Sequence, residues 1–291
     1  MSDLPIKNRL EAAHRGRGSP LFTMIAGRAR QRGLIPAEAC RDGVVWDAAW
    51  WGLDRWPRFA ALDGAGQTGI LRGLTRHLLN EAYFIEKSGT AYAAKMMILA
   101  PDTDTAQLYG LIAGDEATHL AWIEPFIAEA DKTQPAGDFL AYLSALIEDA
   151  SPQVLILLVQ IVLEGWGLDH YRRLAAGCLN PDLKALFQAI LKDEALHHHS
   201  GVVQFDARRL QAGEWALIER GLHAYADMVR AGPAGAVEVI SQYMEINSGE
   251  LSGLRAALGH PAETRRKLGL LRGLMDQPGL EPLLTRIDFN L

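Results

Sequence analysis

The pattern Asp-Glu-x-x-His occurs twice, as Asp115-Glu116-Ala117-Thr118-His119 and as Asp193-Glu194-Ala195-Leu196-His197. Each copy follows a lone glutamate in an apolar stretch of helical periodicity, Glu81 ahead of the first and Glu164 ahead of the second. Residues three apart share one face of a helix. Glu116 and His119 therefore aim an oxygen and a nitrogen at one point, as do Glu194 and His197. With the two lone glutamates this makes four carboxylates and two imidazoles, a donor set able to hold two metal ions inside a helical bundle. A single Glu-x-x-His recurs by chance on solvated helix faces. Two copies with matching upstream glutamates constrain both the fold and the site.

The rest of the chain agrees with a helical fold. Long segments carry helical periodicity and strand-like alternation is nearly missing. Ser151-Pro152 and Asn180-Pro181-Asp182 read as N-caps followed by proline at the first helical position, and Pro101-Asp102 opens a further helix. The pattern predicts four long helices over 67–99, 102–130, 152–178 and 181–209. A crossover between the second and third contains Pro135-Ala136-Gly137 and a short helix, Phe139 to Glu148. An N-terminal region bearing Trp46, Trp50, Trp51 and Trp56 precedes the core, as a plug at one end of the bundle or a lid over a substrate. Helices near 212–231, 234–258 and 262–275 follow it. The expected architecture is a single all-α domain: a four-helix core at 67–209, flanked by helical segments at 1–66 and 210–291.

The core reads as an internal duplication. Aligning Glu81 with Glu164 also pairs Pro101-Asp102 with Pro181-Asp182 and sets each Asp-Glu-x-x-His on its twin. Glu86 rivals Glu81, because it stands 30 residues before Glu116, the spacing that separates Glu164 from Glu194. Glu81 is preferred because it lies on the apolar stripe Leu71, Leu74, Leu78, Ile85, Tyr92 and Met96. His198 rivals His197, and the symmetry of the two halves selects His197. Gly165 and Gly167, in mid-helix after Glu164, indicate either a cavity or π-bulge beside the site or close helix packing.

Buried carboxylates are costly unless a cation compensates them. Hard oxygen donors with one imidazole per metal suit iron or manganese better than zinc. Six protein ligands for two metals leave coordination positions open. Asp115 and Asp193 are expected to accept the second N–H of the opposing histidines, Asp115 from His197 and Asp193 from His119, fixing their tautomers.

Composition excludes other classes. The chain has 291 residues, 22% of them charged, with a net charge of -6 and no basic stripe interleaved with aromatics, so no nucleic-acid partner is expected. The short run Arg265-Arg266-Lys267 reads as a solvated helix face. Two distant cysteines, Cys40 and Cys178, fit a reducing compartment, and residues 1–18 lack the apolar core of a signal peptide. Val154 to Leu163 is too short to span a bilayer and is interrupted by Gln160, so no membrane is expected and a cytoplasmic location is.

These residues resemble the ferritin-like di-iron carboxylate superfamily, whose bundle pattern is Glu … Glu-x-x-His … Glu … Glu-x-x-His; the resemblance covers about residues 67–209. It implies a ferritin-like four-helix bundle with Glu81, Glu116 and His119 on one metal and Glu164, Glu194 and His197 on the other, Glu116 and Glu194 bridging. The cofactor it implies is two iron ions, cycling between Fe2+ and Fe3+, with manganese admissible at one or both sites. The doubled motif looks more like the oxygen-activating branch than like ferritin. Trp122 and Ile123 occupy the turn where a reductase small subunit carries its radical tyrosine, and no cysteines could build a rubredoxin site. His77, His170 and His223 are weighed as a third histidine ligand, and structural roles are preferred. The function expected is a non-haem di-iron oxidase or oxygenase acting with O2 on a small organic substrate. A separate electron donor is compatible with it, as is a homodimer. The alternatives are an iron-binding or peroxide-scavenging protein, and an interaction module stabilised by its metals.

Overall fold

The structure, a computed structural model, describes Pro20 and residues 24–25, 43–132 and 138–289, and every regular element among them is helical. Residues 1–18, Cys40 and Pro135–Gly137 lie outside the described residues. Among the described residues the longer helices are α1 (Gly64–Ile98), α2 (Thr103–Ile123), α3 (Asp138–Asp149), α4 (Pro152–Gly177), α5 (Pro181–Gln204), α6 (Ala212–Ala231), α7 (Ala234–Ser241), α8 (Ser248–Leu258) and α9 (Pro261–Leu274).

Side-chain caps set several of the starts. Asp63 accepts from the Gly66 N–H at 2.8 Å, Asp102 from Thr105 at 2.8 Å and Asn180 from Leu183 at 2.9 Å, each satisfying a donor that the first helical turn leaves free. Ser151 occupies the cap position of α4, but its hydroxyl caps nothing. The second predicted helix ends at Ile123 rather than 130, because Pro125 follows and the chain tightens into a 3₁₀ turn over Glu124–Phe126. The fourth stops at Gln204 rather than 209. The segment 234–258 is two helices, since Asn247 and Glu250 form a reciprocal capping box that starts α8 afresh.

α1 packs along α2 and α4 along α5, and the two pairs meet where α2 crosses α5. This is a four-helix bundle with helical additions at both ends. Among the described residues α1 and α4 make no comparably close approach. α3 and α7 pack on α1, while α6 and α9 pack on each other and on α4, so the later helices cover the gap between α1 and α4. At one end Trp46 stacks on Phe187 with ring centroids 6.1 Å apart and donates to the Leu174 carbonyl at 3.0 Å.

The helix Pro152–Gly177 is long and apolar enough, by length and composition, to cross a membrane. Its most apolar part, Val154 to Val162, is nevertheless buried throughout, packed against α6 and α9. Residues Ile156–Leu163 adopt a π-helix that ends immediately before Glu164. The wider turn lies upstream of Gly165 and Gly167, which themselves sit in regular α-helix.

Candidate metal centre

The two pairs of helices bring the charged motif residues to one buried locus. Glu86, Glu116, His119 and Glu194 form one group whose donor atoms lie within 4.8 Å of one another, and Glu116, Glu164 and His197 form a second. The groups share Glu116, and each could hold a metal ion. His119 and His197 have no solvent exposure, and their ring centroids stand 6.1 Å apart.

Glu81 is in neither group; from the first helix it is Glu86, not the expected Glu81, that stands with the motif residues. His119 Nδ1 lies 3.1 Å from Glu86 Oε2, and the Tyr171 hydroxyl donates to the other oxygen of Glu86. The apolar stripe misleads because α1 is buried on several sides: Leu79, Ala82, Tyr83 and Phe84 are as deeply covered as Leu74 and Tyr92. Burial on many faces removes the amphipathic signal that marks a core-facing side. The equal spacing of 30 residues in both halves was the better guide. In that register Gly89 aligns with Gly167, each three residues beyond its glutamate.

Each histidine presents one nitrogen to the carboxylate cluster and the other to an aspartate on the opposing helix. His119 Nε2 lies 3.1 Å from Asp193 Oδ2, and His197 Nε2 lies 3.2 Å from Asp115 Oδ2. An N–H donated to these carboxylates leaves both Nδ1 atoms with a lone pair facing the cluster. His119 Nδ1 is 3.5 Å from Glu194 Oε1. His197 Nδ1 is 3.2 Å from Glu116 Oε1 and 3.9 Å from Glu194 Oε1, so Glu194 stands between the two rings.

The donor set fits two cations. Buried Glu164 Oε2 and His197 Nδ1 make no hydrogen bond, His197 approaching Glu116 without the alignment of one. Without cations the cluster must hold protons. Burial, with the charge of Glu194 second, pushes the Glu116 carboxyl up to about 8 and the Glu164 carboxyl well above the usual range. Burial alone would lower both histidines. Hydrogen bonds to Asp193, Glu194 and Glu86 instead raise His119 well above its ordinary value, and Glu116 helps lift His197 to about 9.

Two features were not legible in the sequence. Gln160, within the π-helix, accepts from the hydroxyls of Tyr92 at 2.8 Å and Tyr109 at 2.9 Å, and donates to the His197 carbonyl at 2.9 Å and to Ser200 Oγ at 2.7 Å. The other is Gly89, whose missing side chain makes room for the Glu116 carboxylate. Of the alternatives weighed, His198 packs its ring against Gly165, so that glycine serves close packing, whereas Gly167 opens onto a cavity. His77 and His170 line the same cavity, and neither they nor His223 join a donor group.

That cavity, of about 490 Å³, begins at Glu86, Glu116, Glu164 and Glu194 and runs between α1 and α4 to the covering helices. Its walls include Ile85, Leu163 and Trp166, and Trp50 and Trp51 of the N-terminal cluster border it. The run Arg265-Arg266-Lys267 is more than a solvated face. Arg266 pairs with Asp169 at 2.6 Å and with Glu263 at 2.8 Å, and Lys267 lines the cavity.

No protein-family model matches the chain, and no curated protein matches it. Among solved structures it is similar to a mutant R2-like ligand-binding oxidase with an aerobically reconstituted Mn/Fe cofactor, at 15% identity and a TM-score of 0.36, with 94% of this chain and 95% of that chain covered.

Proposed function

We propose that the chain is a non-haem dinuclear metal oxidase or oxygenase that uses O2 to oxidise a small organic molecule. One observation carries this reading: two donor groups sharing Glu116 form the inner end of a cavity of about 490 Å³, a volume ordinary for a small-molecule site. Glu86, Glu116, His119, Glu164, Glu194 and His197 would hold the metals, iron at both positions or manganese at one or both. When bound, two such ions supply one-electron redox chemistry and Lewis acidity towards O2.

The protein's own residues supply the rest. Asp115 and Asp193 hold the histidine tautomers, and Tyr171 orients Glu86. Ile85, Leu163 and Trp166 exclude water from the space beside the carboxylates. Reducing equivalents come from a separate partner or from the substrate. The cavity favours this reading over iron storage or peroxide scavenging, which need no organic pocket.

Anaerobic loading with Fe2+ or Mn2+, followed by an O2 pulse, tests the proposal. Uptake of about two ions per chain and optical changes whose decay is accelerated by an organic pool support it. Failure to bind about two ions defeats it. A stable oxidised metal pair indifferent to every organic pool favours the peroxide-scavenging alternative.

A further inference from the structure

Beyond the carboxylates of the metal centre, the cavity is lined by ionisable side chains from three helices. Glu81 of α1, His170 of α4 and Lys267 of α9 all line it. Among the described residues no hydrogen bond or ion pair engages His170 Nε2, Glu81 or Lys267. The neighbouring cations are committed elsewhere: Arg173 pairs with Glu263, and Arg266 with Asp169 and Glu263. The charge of Lys267 reaches Glu81, yet the two do not close into a pair, and Lys267 also lies near Arg173, Glu263, Asp169 and Arg266. Burial raises the carboxyl of Glu81, and lowers Lys267 and His170, the latter to about 4. The three side chains are half-buried in the cavity wall.

We propose that these side chains bind the zwitterionic head of an α-amino acid, its ammonium donating to Glu81, its carboxylate accepting from Lys267, and its apolar side chain running towards the metal centre. A plain carboxylate would satisfy Lys267 but face Glu81, and a plain amine would do the reverse. A head carrying both signs leaves neither half-buried charge unmatched. His170 Nε2 supplies a third polar contact for the head. Glu81 precedes Glu86 by five residues of α1, a rise of roughly 7.5 Å, and apolar Ile85, Leu163 and Trp166 line the same cavity. The geometry therefore separates a polar head from a carbon presented to the metals. This assignment rests on reading the cavity as the substrate site.

Calorimetric titration of the full chain with 2-aminooctanoate, octanoate and octylamine tests it, with metal content measured on the same sample. We expect 2-aminooctanoate to bind about tenfold or more tightly than either of the others. Glu81→Gln and Lys267→Met should each remove that advantage, Glu81→Gln without weakening octanoate and Lys267→Met without weakening octylamine. Octanoate or octylamine binding as tightly as 2-aminooctanoate overturns the proposal, as does saturable binding by none of the three. The wild-type comparison stands even if a variant misfolds. Amino-acid preference in a chain that takes up no metal would sink the oxidase reading alone; two metals without the preference would sink only this one.

Discussion

Gly89 of α1 lies directly against the carboxylate of Glu116 on α2, so that a β-carbon at position 89 would overlap Oε2 and crowd Cδ. The glutamate shared by both donor groups therefore owes its place to a missing side chain on a neighbouring helix. Gly89→Ala should leave the helix intact, even favoured by about 1 kcal/mol in propensity, while pushing Glu116 off the cluster. We expect metal affinity to fall about 10–100-fold in competition titrations with a chelator, at a nearly unchanged metal-free thermal midpoint. Undiminished affinity would show that Glu116 has freedom to spare.

Glu86 and Glu81 are separable by metal content. Glu86→Gln should cut uptake from about two ions per chain to about one or fewer, whereas Glu81→Gln should retain the full complement. Elemental analysis of the two purified variants decides, and the reverse result would restore Glu81 as the first-helix ligand.

The aspartates act through the histidines they face. Asp115→Asn and Asp193→Asn should each weaken metal binding about 10–100-fold. The Asp115 side chain is 12% exposed and that of Asp193 39% exposed, so water substitutes less readily for Asp115 and its loss should be the larger. Equal losses would count against solvent access as the cause.

Metal-free protein should lose stability as pH rises from 6.5 to 9. Glu116 titrates near 8 in the folded chain, above its unfolded value, and His197 near 9, also above its own. In both cases the folded state holds the extra proton, so the stabilisation is complete below the unfolded pKa and disappears as pH climbs through the folded one. The drop over that range should be roughly 4–5 kcal/mol, read from urea unfolding, and metal loading should abolish it by replacing the protons. A flat or rising profile in the metal-free chain would contradict it.

Gln160→Met should cost about 2–4 kcal/mol, because it strands the hydroxyls of Tyr92 and Tyr109 and frees the His197 carbonyl. Equilibrium unfolding of the variant reads this directly. A loss under about 1 kcal/mol would mean that other partners take over.

Much of this was legible in the chain, because it is local. Caps at Asp102 and Asn180, proline at the start of α4 and α5, and three-residue spacing within each Glu-x-x-His depend on a few neighbouring residues and one helical geometry. Even the crossed aspartate–histidine arrangement could be reasoned from the duplication. The end of α2 departs from the expected one because Pro125 outweighs an apolar pattern that runs past it. The split between α7 and α8 rests on the Asn247–Glu250 capping box, whose spacing is also local.

By itself, then, the sequence determined a helical chain with a duplicated set of carboxylates and imidazoles, and the kind of metal such donors favour. Only the tertiary structure decided that Glu86 rather than Glu81 groups with that set, that Glu81 and Lys267 line one cavity with it, and that Gln160 and Gly89 support the site. Periodicity reports which side of a helix is apolar. α1 is buried on several sides, and which of its neighbours each side meets is fixed by long-range packing that no local pattern encodes.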